Sequence, residues 1–208
     1  MAFTYFTFSN LLSEAHAESM TEVDQSLNPS PNSLNIRRHD INGPVCQQFV
    51  VELWAEIGHL AMNMRPFPPE ARPSVLPSGS IFLVAETVAD EQSLACPDLP
   101  YPCVAGSLAL VPLEPGARTA NGLRQDGKAA EVKHVITRSG QRRRGVAGRL
   151  LEAIEDIART ELGLEVLVLE TNQAMVDAQK MYERYGWKRR EVYGWYNSDE
   201  SVCYEKHL

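Results

Sequence analysis

The run Arg138-Ser-Gly-Gln-Arg-Arg-Arg-Gly-Val-Ala-Gly-Arg149 places five of the chain's 20 basic side chains on glycine-bearing backbone. It stands between a strand-like segment, Glu131 to Thr137, and the start of a long amphipathic helix. A strand that passes through a glycine turn directly into a helix leaves the first amides of that helix without intrahelical acceptors, at the positive end of the helix dipole. Such a turn is a ready anion site. The chain as a whole carries a formal net charge of −7, so a cationic island here has a local reason, and a nucleotide-like ligand is the expected one.

The helix after the turn is the clearest in the chain. Ala147, Leu150, Leu151, Ile154, Ile157 and Ala158 recur at helical spacing opposite Glu152, Glu155 and Arg159, and Gly163 stops the pattern. The β-branched and leucine-rich run Leu164 to Leu169 then reads as a central strand. A further helix carries Ala178, Met181, Tyr182 and Tyr185 on one face and ends at Gly186. Two last strands are expected near Trp187 to Trp195 and Val202 to Lys206. Upstream, strands are expected at Leu34 to Arg38, Ile81 to Glu86 and Val104 to Leu113. A helix from Pro44 to Met64 has Val45, Phe49, Leu53, Ile57 and Leu60 on its buried face and ends at the Pro66, Pro68, Pro69 cluster. Residues 1–32, rich in Ser, Asn, Glu and Pro, read as a flexible tail, leaving 33–208 as one domain.

Composition excludes several classes. No stretch approaches the roughly 18 consecutive apolar residues of a spanning helix, and the acidic balance argues against a nucleic-acid partner, which calls for an extended basic surface. Cys46, Cys96, Cys103 and Cys203 lack metal-ligand spacing and the five histidines form no cluster, so reduced thiols and no metal are expected. Cys96 and Cys103 bracket a proline-containing loop and could bridge in an oxidising compartment. The Ala-His-Ala triplet near the N-terminus imitates a signal cleavage site, but no basic n-region precedes it and polar residues interrupt the apolar part. The expected location is cytoplasmic.

Gly140-x-x-x-x-Gly145 opens like a Walker loop, yet Val146-Ala147 stand where the Lys and Ser/Thr of an NTPase belong, and the dinucleotide glycine spacing is missing. What remains is a strand, Arg142-x-x-Gly145-x-Ala147, and a helix. This pattern resembles motif A of the GNAT superfamily of N-acetyltransferases, in which successive amides hold the pyrophosphate of acetyl-coenzyme A. AEVKHVITR resembles that family's fourth strand, LEVLVLET its fifth, and AQKMYERYGW its motif B, so the resemblance covers most of residues 34–208. It implies an α/β (α+β) fold: a mixed six- or seven-stranded central sheet, splayed between strands 4 and 5 and flanked by about four helices. It also implies acetyl-CoA as acyl donor. Main-chain groups around Val135, Ile136 and Thr137 would meet the pantetheine arm. Gly145, Val146, Ala147 and Gly148 would approach the pyrophosphate, and Arg142, Arg143, Arg144 and Arg149 would supply charge, with the inward-pointing arginine undetermined.

Moving an acetyl group to an amine requires a neutral nucleophile, stabilisation of an oxyanion and a proton for the departing thiolate. The motif-B position implies Tyr182 as proton donor, since a phenol stays protonated at neutral pH. Glu131, at the glutamate of the family's Glu-x-Lys pattern, is the first candidate base, alone or through water, with pairing to Lys133 as its structural alternative. His134 is second: its intrinsic pKa suits a base, but strand alternation puts it on the face opposite Lys133. A backbone N–H near Val135 is the implied oxyanion donor. Met175 stands where many family members have asparagine; Asn172 either substitutes for that asparagine or caps the following helix.

Acceptor recognition is the least legible part. Trp54, Tyr193, Trp195 and Tyr196 are aromatic enough to wall a pocket, and Glu52, Glu56 and Glu70 could face a cation. The compact chain leans toward a small-molecule amine. A peptide or protein acceptor, or an acyl-CoA-binding protein without transfer activity, are the rival readings, and a homodimer is compatible with the resemblance.

Overall fold

The computed structural model describes residues 34–60, 76–87, 104–113, 128–193 and 199–208. The expected N-terminal tail, the Pro66 to Pro69 cluster, Glu70, Cys96, Cys103, Trp195 and Tyr196 lie outside these residues. The described elements are β1 (Leu34–His39), α1 (Pro44–Leu60), β2 (Ile81–Thr87), β3 (Val104–Pro112), β4 (Ala129–Thr137), α2 (Val146–Thr160), β5 (Val166–Asn172), α3 (Val176–Arg184), β6 (Lys188–Arg190) and β7 (Ser201–His207). One 3-10 turn, Ser139–Gln141, separates β4 from α2.

All seven strands join one mixed sheet in the order β1-β2-β3-β4-β5-β7-β6. Every neighbouring pair is antiparallel except β4 and β5, which run parallel and are linked through α2. The sheet is covered on both faces. Leu150, Leu151, Ile154 and Ala158 of α2 join Leu83, Leu108, Val132, Leu167 and Leu169 in one core, which also takes in Tyr182 of α3 and Trp187. Phe49 and Val50 of α1 pack with Phe82, Val84, Ala109 and Ile136 in a second core. In β5, Leu167 and Leu169 enter the first core while Val166 and Val168 enter a third, so alternate side chains are buried in opposite directions, which is why the run reads as almost unbroken apolar sequence.

β4 does not alternate throughout. His134 adopts a left-handed φ of 54°, and the register with β3 passes from Ala109–Lys133 to Ser107–Ile136. Two residues, His134 and Val135, thus stand against Leu108 alone, which is a β-bulge. Val132 and Val135 consequently share the first core, while Ile136 turns into the second. Pairing with β5 ends at Val132–Leu169, just before the bulge, although β4 continues to Thr137 and β5 to Asn172. A bulge bends its strand; here it separates the two parallel strands, giving the splay the sequence implied.

Gly163 and Gly186 take left-handed φ after α2 and α3, as their positions suggested. Gly148 has a different purpose. A Cβ there would lie 1.7 Å from the Tyr185 hydroxyl, so the first turn of α2 packs directly on the residue that ends α3. Gly148→Ala is expected to destabilise the fold by about 1–3 kcal/mol through overpacking. The check is a urea denaturation midpoint lowered at unchanged slope; an unchanged midpoint would show that Tyr185 yields freely.

Candidate active site

β4 delivers the chain into the glycine–arginine turn, and the turn starts α2. Gly145 is the N-cap residue, in the left-handed region at φ 79°, and no side chain caps the helix. The first bond across this terminus runs from the Arg149 N–H to the Gly145 carbonyl. Among the described residues nothing accepts a hydrogen bond from the N–H groups of Gly145, Val146, Ala147 or Gly148. The space where a Gly145 side chain would stand is open. Four consecutive amides at the positive end of a 15-residue helix are donors of the kind that bind anions.

The arginines of the turn are not equivalent. Arg138, at its start, is buried. Its Nε and Nη2 donate to the two carboxylate oxygens of Glu52 on α1 at 3.0 and 2.8 Å, its Nη1 to the Val104 carbonyl at 3.0 Å, and its guanidinium lies 4.8 Å from the centre of the Phe49 ring. Burial pushes the Glu52 carboxyl up, but hydrogen bonds from Arg138 and Gln48 and the Arg138 charge outweigh it and hold the group below its usual range. Arg142 pairs with Glu56, one turn further along α1, and donates to the Thr137 carbonyl at 3.2 Å. Side-chain exposure separates the two pairs: 9% and 19% for Arg138 and Glu52, 48% and 31% for Arg142 and Glu56. An exposed pair contributes about 0–1 kcal/mol, whereas removing one partner of a buried pair costs about 3–5 kcal/mol. Arg143 sits in a left-handed conformation, exposed, as is Arg149; Arg144 donates to Gln141 at 2.8 Å. Glu52 and Glu56, read from sequence as possible partners of an acceptor cation, thus meet the cations of the loop.

On the third-core face the separating strands carry charge. Glu131 is buried, accepts from the Tyr193 hydroxyl at 2.8 Å and pairs with Lys133 at 3.1 Å. Glu170 of β5 accepts from Ser201 at 2.8 Å. Burial raises its carboxyl above the ordinary value, against the Ser201 hydrogen bond and the Lys133 charge and with help from Glu131. His134, the bulged residue, is held down to about 4, by burial first and then by Lys133, and its Nδ1 has no hydrogen-bond partner among the described residues. At His134 the regular alternation of β4 is interrupted by the bulge.

Tyr182 lies on α3 with its ring 6.1 Å from Trp187 and 5.8 Å from Tyr204, centre to centre. Burial holds its phenol above the usual value, reinforced by Glu170 and Tyr204. Asn172 forms the turn between β5 and α3: its Oδ1 accepts from the Ala174 N–H at 2.8 Å and its carbonyl from the Met175 N–H at 3.0 Å. The N-cap position itself belongs to Met175. Glu170 escaped the sequence reading; its only signal was a carboxylate at the end of an otherwise apolar central run. Among the described residues no group of His, Cys, Asp and Glu side chains could hold a metal ion, and no helix is long and apolar enough to cross a membrane.

Comparison with known proteins agrees with this fold. The family model described as "Acetyltransferase (GNAT) family" matches residues 63–187, more than half of the chain. The chain belongs to the GNAT acetyltransferase family, an N-acyltransferase class. Among solved structures it is similar to a GNAT-family acetyltransferase from Staphylococcus aureus Mu50, at 16% identity and a TM-score of 0.59, covering 85% of this chain and 99% of that one. It is also similar to a GCN5-related N-acetyltransferase from Kribbella flavida, at 19% identity and a TM-score of 0.57, covering 86% and 100%. An acetyltransferase from Streptococcus agalactiae 2603 gives 20% identity and a TM-score of 0.55, covering 84% and 98%. At these identities the likeness establishes the fold. No curated protein matches the sequence.

Replacing Arg138 by Met leaves the half-buried Glu52 carboxylate without its partner and is expected to cost about 1–3 kcal/mol at neutral pH. Because the folded value of Glu52 lies below the unfolded one, the stabilisation is present above pH 4.5 and is lost as the pH falls through the folded value. Urea denaturation should therefore show a gap between wild type and Arg138→Met at pH 7 that narrows in acid; a gap independent of pH would remove the ion pair as its source.

Proposed function

We propose that the protein binds acetyl-CoA at the start of α2 and transfers the acetyl group to a primary amine, of a small molecule, within a ternary complex. The observation that carries this reading is the run of four unengaged amides from Gly145 to Gly148, placed where β4 and β5 part. The amides and the exposed arginines suit a diphosphate, and the β4 backbone past Val132, which has no β5 partner, suits an amide-bearing arm. Val135, Ile136 and Thr137 take part through the main chain; the Ile136 side chain is committed to the second core.

Acetyl-CoA supplies an acetyl group activated as a thioester, with a thiol as leaving group. The surrounding side chains fit the remaining needs. Glu170, raised by burial, is the better proton acceptor for the ammonium of the acceptor. Glu131, engaged by Tyr193 and Lys133, orients that amine instead. His134, at about 4, is too weakly basic to compete. Tyr182 retains its proton across the working pH range and holds it for the sulfur; desolvation that raises the phenol also raises a thiolate leaving group in the same apolar surroundings. The N–H of Val135, beside the bulge, serves the oxyanion. Direct transfer is favoured over an acyl-enzyme because Cys46 and Cys203, the cysteines among the described residues, are buried with thiols pushed up to about 11. The recessed position of Glu131 beneath Tyr193 favours a small amine over a folded protein.

Acetyl-CoA at a hundred times its Kd is expected to stabilise the protein by about 2.7 kcal/mol, a melting shift of several degrees, and a thiol-release assay over an amine library should find an accelerated acceptor. Tyr182→Phe is expected to lower kcat by about 10²-fold or more with little change in coenzyme Kd. Glu170→Gln should lower kcat and abolish the acid limb of the pH profile, a limb expected above that of a free carboxylate. Binding without acceleration by any amine would leave a coenzyme-binding protein, not an enzyme.

A further inference from the structure

Two carboxylates one turn apart on α1, Glu52 and Glu56, meet two arginines of the loop that are likewise four residues apart, Arg138 and Arg142. The contacts differ in kind. Arg138 is satisfied by both Glu52 oxygens and by the Val104 carbonyl, and it is stacked on Phe49 inside the second core's border. No anion can take it without opening the fold. Arg142 is half exposed and, among the described residues, spans Glu56 and the Thr137 carbonyl, three residues before Gly145.

We propose that Glu56 is a positioning residue that acts as the loop's resident counter-anion: its carboxylate holds Arg142 until a coenzyme phosphate takes its place, while Glu52 keeps Arg138 and with it the loop's seat on α1. The proposal rests on the coenzyme-binding reading above. In the protein without ligand, a guanidinium three residues before a run of four unengaged amides adds positive charge to the same loop of an acidic chain, and Glu56 neutralises part of it at small desolvation cost because the pair is open to water. A phosphate arriving at the amides competes for the same guanidinium with more negative charge and more acceptor oxygens. The Glu56 carboxylate returns to water, and the Arg142 side chain changes partner without any change in the buried Arg138 pair. Coenzyme affinity is therefore set below what the loop could deliver, by the strength of the pair that must first be broken.

The test is a double-mutant cycle read by isothermal titration of free CoA into the full chain: wild type, Glu56→Gln, Arg142→Gln and the double variant. An exposed pair of this type predicts that Glu56→Gln tightens CoA binding about two- to fivefold, that Arg142→Gln weakens it, and that Glu56→Gln has no further effect once Arg142 is gone. Unchanged or weaker binding in Glu56→Gln overturns the proposal. So does tightening that persists in the Arg142→Gln background, since a long-range charge effect needs no partner while displacement does. If wild type fails to bind CoA at all, the coenzyme reading falls first and this inference with it; if wild type binds and the cycle shows no coupling, only this inference falls.

Discussion

The structure depends on one backbone conformation, the left-handed His134 in the middle of β4. A non-glycine residue in that region costs about 1–3 kcal/mol and persists only where its surroundings over-determine it. Here they do: Val132 and Val135 are both seated in the core under α2, and Ile136 in the core under α1, a combination no regular strand can reach. The extra residue bends β4, the ladder to β5 stops at Val132–Leu169, and the two strands run on apart. With a flat β4 the ladder would close and the opening between the strands would be lost, along with the backbone groups that line it.

Most of the frame was legible because it rests on period and punctuation. α2 announces itself through Leu150, Leu151, Ile154 and Ala158, and β5 through an apolar run whose two faces are both covered. The start of α2 was legible too, since glycine ahead of an amphipathic helix implies free amides in any context. The bulge was not. Period-two reasoning assigns His134 a face, and nothing in AEVKHVIT marks the residue at which the phase slips; the slip is set by how β4 fits β3 and two cores at once. Glu170 was missed for a related reason, because its environment is made by Ser201 and Glu131 from other strands. The partners of Arg138 and Arg142 lie 86 residues upstream, beyond any local signal.

Burial acts on the carboxylates in opposite ways, and the difference follows from what else reaches each group. Glu52 is desolvated but receives two guanidinium hydrogen bonds and a full charge at contact, so its ionised form wins. Glu170 is desolvated with one hydroxyl donor and Lys133 on its side and Glu131 against it, so its neutral form gains. A carboxylate of the first kind fastens one element to another and resists protonation. One of the second kind holds a proton more readily than a free carboxylate does. The same side chain thus serves as a clamp at the loop and, in the function proposed above, as a proton acceptor at the splay, with no change of chemistry except in its neighbours.

Coenzyme binding and proton delivery, as proposed, fall to different helices, and their spacing has to be fixed if one extended ligand is to satisfy both. Two contacts fix it. The bare Gly148 face of α2 lies on the ring and hydroxyl of Tyr185 at the end of α3, so the turn presenting the amides is held against the helix presenting Tyr182 by one side chain alone. Lys206 of β7 then bridges the buried Glu155 of α2, at 2.6 Å, and the Tyr185 carbonyl, at 2.7 Å. The ammonium holds one oxygen of a buried carboxylate and a helix-terminal carbonyl at once, so neither helix can shift without leaving one of them unpaired, which is costly where water is excluded. The spacing between the Gly145–Gly148 amides and the Tyr182 phenol is therefore set by packing between α2 and α3.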